Sequence, residues 1–150
     1  MKIMRLGNRK KLVGRWISLI NRYTQIYLGK ELKPYEMGPG QGMPFVELFA
    51  NEGKSQDELS QLIKIDKATT ARSLAKLEDK GYIIRKRDSA DNRIRRVYLT
   101  GKAKKFAPTF FAIFNAWSDT LVQNFSPEEK EQLLIFLEKM GRNAMARLEK

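Results

Sequence analysis

The sequence predicts a mainly α-helical fold with one small β-hairpin, and three observations predict it. Apolar residues recur at helical spacing near both ends of the chain. Two short helices with strong start signals stand three residues apart in the middle. One stretch beyond them switches to β-branched and aromatic residues interrupted by turn chemistry.

The first helix carries Leu12, Trp16, Leu19, Ile20, Tyr23, Ile26 and Tyr27. At 100° per residue these fall on one face roughly 120° wide, and Asn8 is the expected N-cap. Lys33-Pro34 and Gly38-Pro39-Gly40 interrupt the pattern. A second helix runs through Phe45, Val46, Leu48 and Phe49, with Gly53 expected to end it. Ser55-Gln56-Asp57-Glu58 is a capping box: the serine hydroxyl meets the N3 amide while the glutamate reaches back. After a break at Lys64-Ile65-Asp66, Asp66 caps a helix from Lys67 to Lys80, stopped by Gly81. Two short helices on so tight a turn read as helix-turn-helix.

Tyr82-Ile83-Ile84-Arg85-Lys86-Arg87 reads as a strand, Asp88 to Asn92 as a turn, and Arg95 to Leu99 as the returning strand. Thr100 caps the next helix, whose stripe is Phe106, Phe110, Ile113, Phe114, Trp117 and Leu121. Pro108 lies inside it and is expected to bend it, because it removes a backbone donor. Ser126-Pro127-Glu128-Glu129 starts the last helix, which carries Leu133, Leu137, Met140, Ala144 and Leu148. The order gives a winged helix-turn-helix core with long N- and C-terminal helices. Three segments follow: residues 1–35, 36–100 and 101–150.

The 150 residues are 42% hydrophobic and 31% charged, the balance of a folded chain. A net charge of +12 points to a polyanion, either nucleic acid or an anionic membrane surface. The cations concentrate in the hairpin rather than along a helix face, which favours nucleic acid. There is no cysteine and no histidine, which excludes disulfides, thiol nucleophiles, ordinary zinc sites and a Ser-His-Asp triad. With no phosphate-cradling glycine loop and with scattered carboxylates, nothing supports an enzyme, a cofactor or a metal. No apolar run reaches bilayer length, and Met1 to Arg5 lacks the apolar core of a signal peptide, so a cytoplasmic protein is expected.

On the wheel of the fourth helix, Ala71, Leu74, Ala75 and Leu77 gather on one side, and Thr69, Arg72, Ser73, Lys76 and Lys80 on the other. Such a polar side suits the major groove, where Arg binds guanine bidentately and Thr or Ser meets bases or phosphates. An ordinary solvated face carries similar charges. The expected recognition set is Lys67, Thr69, Thr70, Arg72, Ser73 and Lys76. In the hairpin, Arg85, Lys86, Arg87, Arg93, Arg95 and Arg96 surround a turn whose acids are Asp88 and Asp91. A tip of that width fits the minor groove, where arginine is favoured. The expected wing contacts are Arg87, Asp91, Asn92, Arg93 and Arg95, with Asp91 holding Arg93 through a carboxylate–guanidinium pair.

Ser55 to Leu59, Asp66 to Leu74, Leu77 to Ile83, Asp91-Asn92-Arg93 and Val97 to Thr100 together resemble the MarR-type (multiple antibiotic resistance regulator) transcription factors. That family's wing pattern, Asp-x-Arg followed by Leu-Thr, is matched by Asp91, Arg93, Leu99 and Thr100. Gly38-Pro39-Gly40-Gln41 resembles the opening of the family's second helix, and the resemblance covers nearly the whole chain. It implies an obligate homodimer joined through the first, fifth and sixth helices, double-stranded DNA as partner, and a repressor on a palindromic operator. Apolar residues beyond one face per helix, among them Phe111, Val122, Phe125, Ile135, Phe136 and Met145, agree with a dimer. Phe111, Trp117, Phe136 and Met140 are expected at its interface.

Many relatives bind a small aromatic or phenolic anion between the dimer region and the winged helix. Trp16, Tyr23, Met43, Phe110 and Phe114 are the candidates here, although core packing explains the same aromatics. Peroxide sensors of the family need a reactive cysteine and metal sensors need histidine or cysteine, and both residue types are missing. The alternative is an architectural or RNA-binding winged-helix protein without effector response. It would show steep salt dependence and little sequence preference.

Overall fold

The computed structural model describes residues 12–149. The elements are α1 (Val13–Leu32), α2 (Gly42–Ala50), α3 (Gln56–Ile63), α4 (Lys67–Asp79), β1 (Ile83–Arg87), β2 (Arg95–Leu99), α5 (Gly101–Leu121) and α6 (Pro127–Leu148). Single 3-10 turns at Lys33–Tyr35 and Pro39–Gln41 join α1 to α2. The chain divides into two compact units, Met1–Phe114 and Asn115–Lys150, with α5 passing from one to the other.

The caps explain where most elements begin. Asn8, the expected cap of α1, lies outside the described residues. The helix there starts after Leu12 without a side-chain cap bond. Ser55 caps α3: its Oγ accepts from the Glu58 amide at 3.2 Å, and the Ser55 amide donates to Glu58 Oε2 at 2.7 Å. Lys64 ends α3 in the left-handed region at φ 59°. Asp66 Oδ1 then accepts from the Thr69 amide at 2.8 Å to start α4. Thr100 Oγ1 accepts from the Ala103 amide at 3.2 Å to start α5, which continues unbroken through Pro108.

The first unit has one core, centred on Phe45. Its ring meets Phe49, Tyr82 and Phe110 edge-on, with centroids 5.1, 5.6 and 4.7 Å away. Leu48 of α2, Leu59 of α3, Leu74 and Leu77 of α4, Ile83 of β1, and Val97 and Leu99 of β2 complete it. Leu28 and Leu32 close it from the last turns of α1, and Ala103, Phe106 and Phe110 from the first half of α5. The Tyr82 hydroxyl donates to the Tyr35 carbonyl at 2.6 Å, satisfying the one polar group of that ring.

The end of the second helix and one pairing beside the wing differ from expectation. The second helix ends at Ala50, with Asn51 as C-cap, before Gly53 is reached. Gly53, at φ 87°, instead turns the chain so that its amide donates to Val97 O at 2.9 Å. Lys54 O accepts from the Val97 amide at 3.0 Å, and Ser55 bridges Arg96 antiparallel. A single β-bridge and its flanking backbone bonds thus fix the wing to the start of α3. Too few residues pair there to leave a period-2 pattern in the sequence.

In the second unit, Asn124 turns the chain at φ 68° and a complete capping box starts α6. The Ser126 amide donates to Glu129 Oε2 at 2.8 Å, and Ser126 Oγ accepts from the Glu129 amide at 3.1 Å. None of the residues of α6 is buried within the chain, and Leu134 is 67% exposed. Phe125, Leu133 and Phe136 line an open groove of about 490 Å³ on this unit. Isolated helices draw their stability from packing an apolar face, so this face calls for a cover.

Candidate nucleic-acid interface

Helix α4 buries Thr70, Ser73, Leu74 and Leu77, spaced i, i+3, i+4, i+7. Ser73, expected on the open face, and Thr70, expected as a recognition contact, therefore point inward, and their assignment as contacts is corrected. Both are small enough to let α4 lie against the Gly38–Gln41 loop. Ser73 Oγ donates to Gly40 O at 3.1 Å. Thr70 Oγ1 has no hydrogen-bond partner within the described protein. Ala75, expected inward, is exposed, and Ala71 is half-buried.

Thr70→Val keeps the shape and removes a buried unsatisfied hydroxyl. It is expected to leave stability unchanged or raise it by about 1 kcal/mol, with nucleic-acid affinity untouched. Chemical denaturation and a binding titration check this. Lost binding in a fully folded variant would put Thr70 back at the interface.

The outward face of α4 carries Lys67, Ala68, Arg72, Ala75, Lys76 and Asp79, with Thr69 half-buried at its edge. Lys67 pairs with Asp57 at 3.1 Å. Arg72 Nη2 donates to Thr69 Oγ1 at 2.9 Å, which orients the guanidinium along the face. Lys80 is drawn aside by Glu36 at 3.1 Å. Ala68 and Ala75, left out of the expected recognition set, lie exposed on the same face. Methyl groups beside an arginine on one face were the available signal, since alanine contacts the thymine methyl.

The wing holds two kinds of cation. Arg85 and Arg96 are tied into the fold and are not available as the basic cluster implied. Arg85 forms a fork with Glu78 at 2.9 and 3.1 Å and reaches Gln56 Oε1 at 3.3 Å. The Arg85 guanidinium holds the Glu78 carboxyl below its ordinary range. Arg96 pairs with Asp88 and donates to Gly53 O at 3.0 Å.

Arg87, Arg93 and Arg95 project outward. Arg87 and Arg95 are direct cross-strand partners, and no ion pair neutralises either among the described residues. Like charges directly opposite weaken a hairpin, so the pairing makes sense as an anion-binding feature. Asp91 behaves as expected: it accepts from the Arg93 amide at 3.0 Å and from its Nε and Nη2 at 3.1 and 3.2 Å. This fork holds the Asp91 carboxyl below its ordinary range while leaving the Arg93 side chain 91% exposed. Asn92 is exposed beside it.

The ligand candidates do not form one group. Phe110 is completely buried and stacks at 4.6 Å on half-buried Phe114, so Phe110 is a core residue, which corrects its assignment. Phe114 also fills the space that a side chain at Gly42 would need, 2.9 Å from an ideal Cβ. Trp16, Tyr23 and Met43 are each about half exposed. Phe111, expected at the dimer interface, packs edge-on against Phe49 and Phe110 of its own unit. Trp117 and Met140 are half-buried, and Phe136 is exposed. Among the described residues no group of three or more acids could hold a metal, and no helix is long and apolar enough to cross a membrane.

A helix-turn-helix joined to a basic hairpin, with an arginine on the outer helix face and three more on the wing, defines a winged helix-turn-helix protein. A profile of the MarR family matches residues 45–94, from α2 to the wing tip. The HTH-type transcriptional regulator BilQ of Clostridium symbiosum is 32% identical over 140 residues, which span 93% of this chain and 83% of that one. A MarR transcriptional regulator from Methanosarcina mazei Go1 superposes with a TM-score of 0.85 at 40% identity, covering 91% of this chain and 98% of that one. A putative MarR family regulator from Listeria monocytogenes, solved in complex with a 26mer DNA, superposes with a TM-score of 0.82 at 25% identity, covering 88% of each chain. The chain belongs to the MarR family of transcriptional regulators.

Proposed function

We propose that this protein is a cytoplasmic homodimeric repressor that binds a palindromic double-stranded DNA operator. Arg87, Arg93 and Arg95, exposed together on one hairpin with Asp91 as the single acid paired to any of them among the described residues, are the observation that carries this reading. Arg72, Lys76 and Thr69 read bases or phosphates from α4, with Ala68 and Ala75 against thymine methyls. Arg93 enters the minor groove, with Arg87 and Arg95 on the flanking phosphates. Residues 36–100 bind DNA, and 1–35 with 101–150 form the dimer. The exposed apolar residues of α1 and α6, including Ile17, Ile20, Leu134 and Phe136, support that division. A small aromatic or phenolic anion near Trp16, Tyr23, Met43 and Phe114 releases the operator.

Selection of duplexes from a random pool with the purified protein tests the reading. The expected product is an inverted repeat with half-site centres about 10 base pairs apart, or a near multiple. A single asymmetric half-site, or a one-chain species by sedimentation at micromolar concentration, would overturn it. Sequence-indifferent binding with a steep salt slope would make the protein architectural instead.

Arg93→Ala is expected to lower affinity on specific and random duplexes alike, reducing the salt slope by about one unit per subunit. Arg93→Lys recovers only part, because ammonium is more strongly hydrated and lacks the planar fork. Titrations at several salt concentrations give the slopes. Unchanged slopes would remove Arg93 from the phosphate-lined groove.

A further inference from the structure

Asp91 holds Arg93, and the loop that carries Asp91 is itself held in place. That loop runs from Asp88 to Ile94 and is joined to the strands by the bond from the Asp88 amide to Ile94 O at 2.9 Å. Its sharpest turn is built on a carboxylate. Asp88 Oδ2 accepts from the amides of Ala90 and Asp91, both at 3.0 Å. The other oxygen, Oδ1, accepts from Arg96 Nε. The Asp88 side chain is only 14% exposed, although it lies beside an open wing tip.

Arg96 extends the connection away from the wing. Its Nη1 donates to the Gly53 carbonyl at 3.0 Å and stands 3.7 Å from Glu58 Oε2. Glu58 is the acid of the capping box that starts α3, and Gly53 begins the segment bonded to β2. One planar guanidinium therefore spans the start of the first helix of the helix-turn-helix, the Gly53 segment bonded to β2 and the carboxylate that shapes the tip. The bond from Arg96, followed by the two tip amides, holds the Asp88 carboxyl below its ordinary range.

We infer that Arg96 is a positioning residue, which sets where Asp91 and Arg93 stand relative to the helix-turn-helix and is not itself a DNA contact. The inference rests on the DNA-binding reading above and adds the device that aligns its two reading elements. A fork is needed because two directions must be held at once, toward Asp88 and toward Gly53 O. An ammonium offers its three donors from a single point and does not present the guanidinium's spaced, planar donors to both. Preorganisation of this kind removes an ordering cost that a loose wing would meet on binding.

The experiment compares duplex affinity and salt slope for the full-length wild type, Arg96→Met, Arg93→Ala, the double variant and Asp88→Asn. Hydrogen exchange of the free proteins runs alongside. If Arg96 acts through Arg93, the double variant should lie within about twofold of Arg93→Ala, because coupled sites do not add. Additive losses, or a further drop of about one unit per subunit in salt slope, would make Arg96 an independent phosphate contact and overturn the inference.

Asp88→Asn gives the opposite sign for the two accounts and keeps the test open if Arg96→Met folds poorly. Removing a negative charge beside DNA should tighten binding if only charge matters. Loosening of the tip should weaken it several-fold, with faster exchange at the Ala90 and Asp91 amides and unchanged exchange in α4. Tighter or unaltered binding would overturn the inference. A wild type that binds no duplex would instead defeat the DNA reading itself, before any variant is compared.

Discussion

Arg72→Ala should sharply weaken operator discrimination. Arg72 is exposed on the outer face of α4, and its guanidinium is oriented by Thr69 at 2.9 Å. A bidentate arginine–guanine contact is worth roughly 1–3 kcal/mol of discrimination. A two-fold dimer loses two such contacts at once, roughly 2–6 kcal/mol on a symmetric site. The loss should be confined to the selected sequence and relax preference at one base pair per half-site. Competition between operator and random duplex at fixed salt measures it. Equal losses on both duplexes would show that Arg72 touches phosphate alone. Thr69→Ala should give a smaller loss of the same kind, since it frees the guanidinium without removing it.

Phe45→Ala should be the most destabilising single change in the first unit. The side chain is fully buried and meets Phe49, Tyr82, Phe106 and Phe110. Truncating a buried phenylalanine costs about 3–5 kcal/mol through lost burial and the cavity left behind. A domain is stable by only about 5–15 kcal/mol, so much of the variant should be unfolded at moderate temperature. Urea unfolding followed by circular dichroism, at one protein concentration because the proposed dimerisation would contribute to stability, gives the value. A change below about 1 kcal/mol would mean that the aromatic cluster closes over the gap, contrary to the packing described.

The elements legible in the sequence are those set by neighbours in the chain. Ser55, Asp66 and Ser126 act as caps because each hydroxyl or carboxylate meets an amide three residues on. Asp91 and Arg93 are two apart, so their fork was equally readable. The strand Arg95–Leu99 matched its expected bounds because β-branched and aromatic residues were bracketed by turn chemistry and a capping threonine. The winged-helix order followed from these local signals.

What the sequence left open is which face of each element turns inward. The wheel of α4 placed Ser73 outside, and the expected recognition set added Thr70, yet both are buried. Their burial depends on the Gly40 carbonyl, 33 residues from Ser73. Arg85 and Arg96 read as two more wing cations until the fold brought Glu78 against one and Asp88 and Gly53 against the other. Phe110 looked available to a ligand until Phe45, 65 positions earlier in the chain, closed over it.

Local structure is thus written in spacings of two to four residues, because caps, turns and helical periods are satisfied within that reach. The charge that is free to meet DNA is decided by tertiary structure. An arginine is available only if no carboxylate or carbonyl from a distant segment takes its donors. Packing alone brings such segments together.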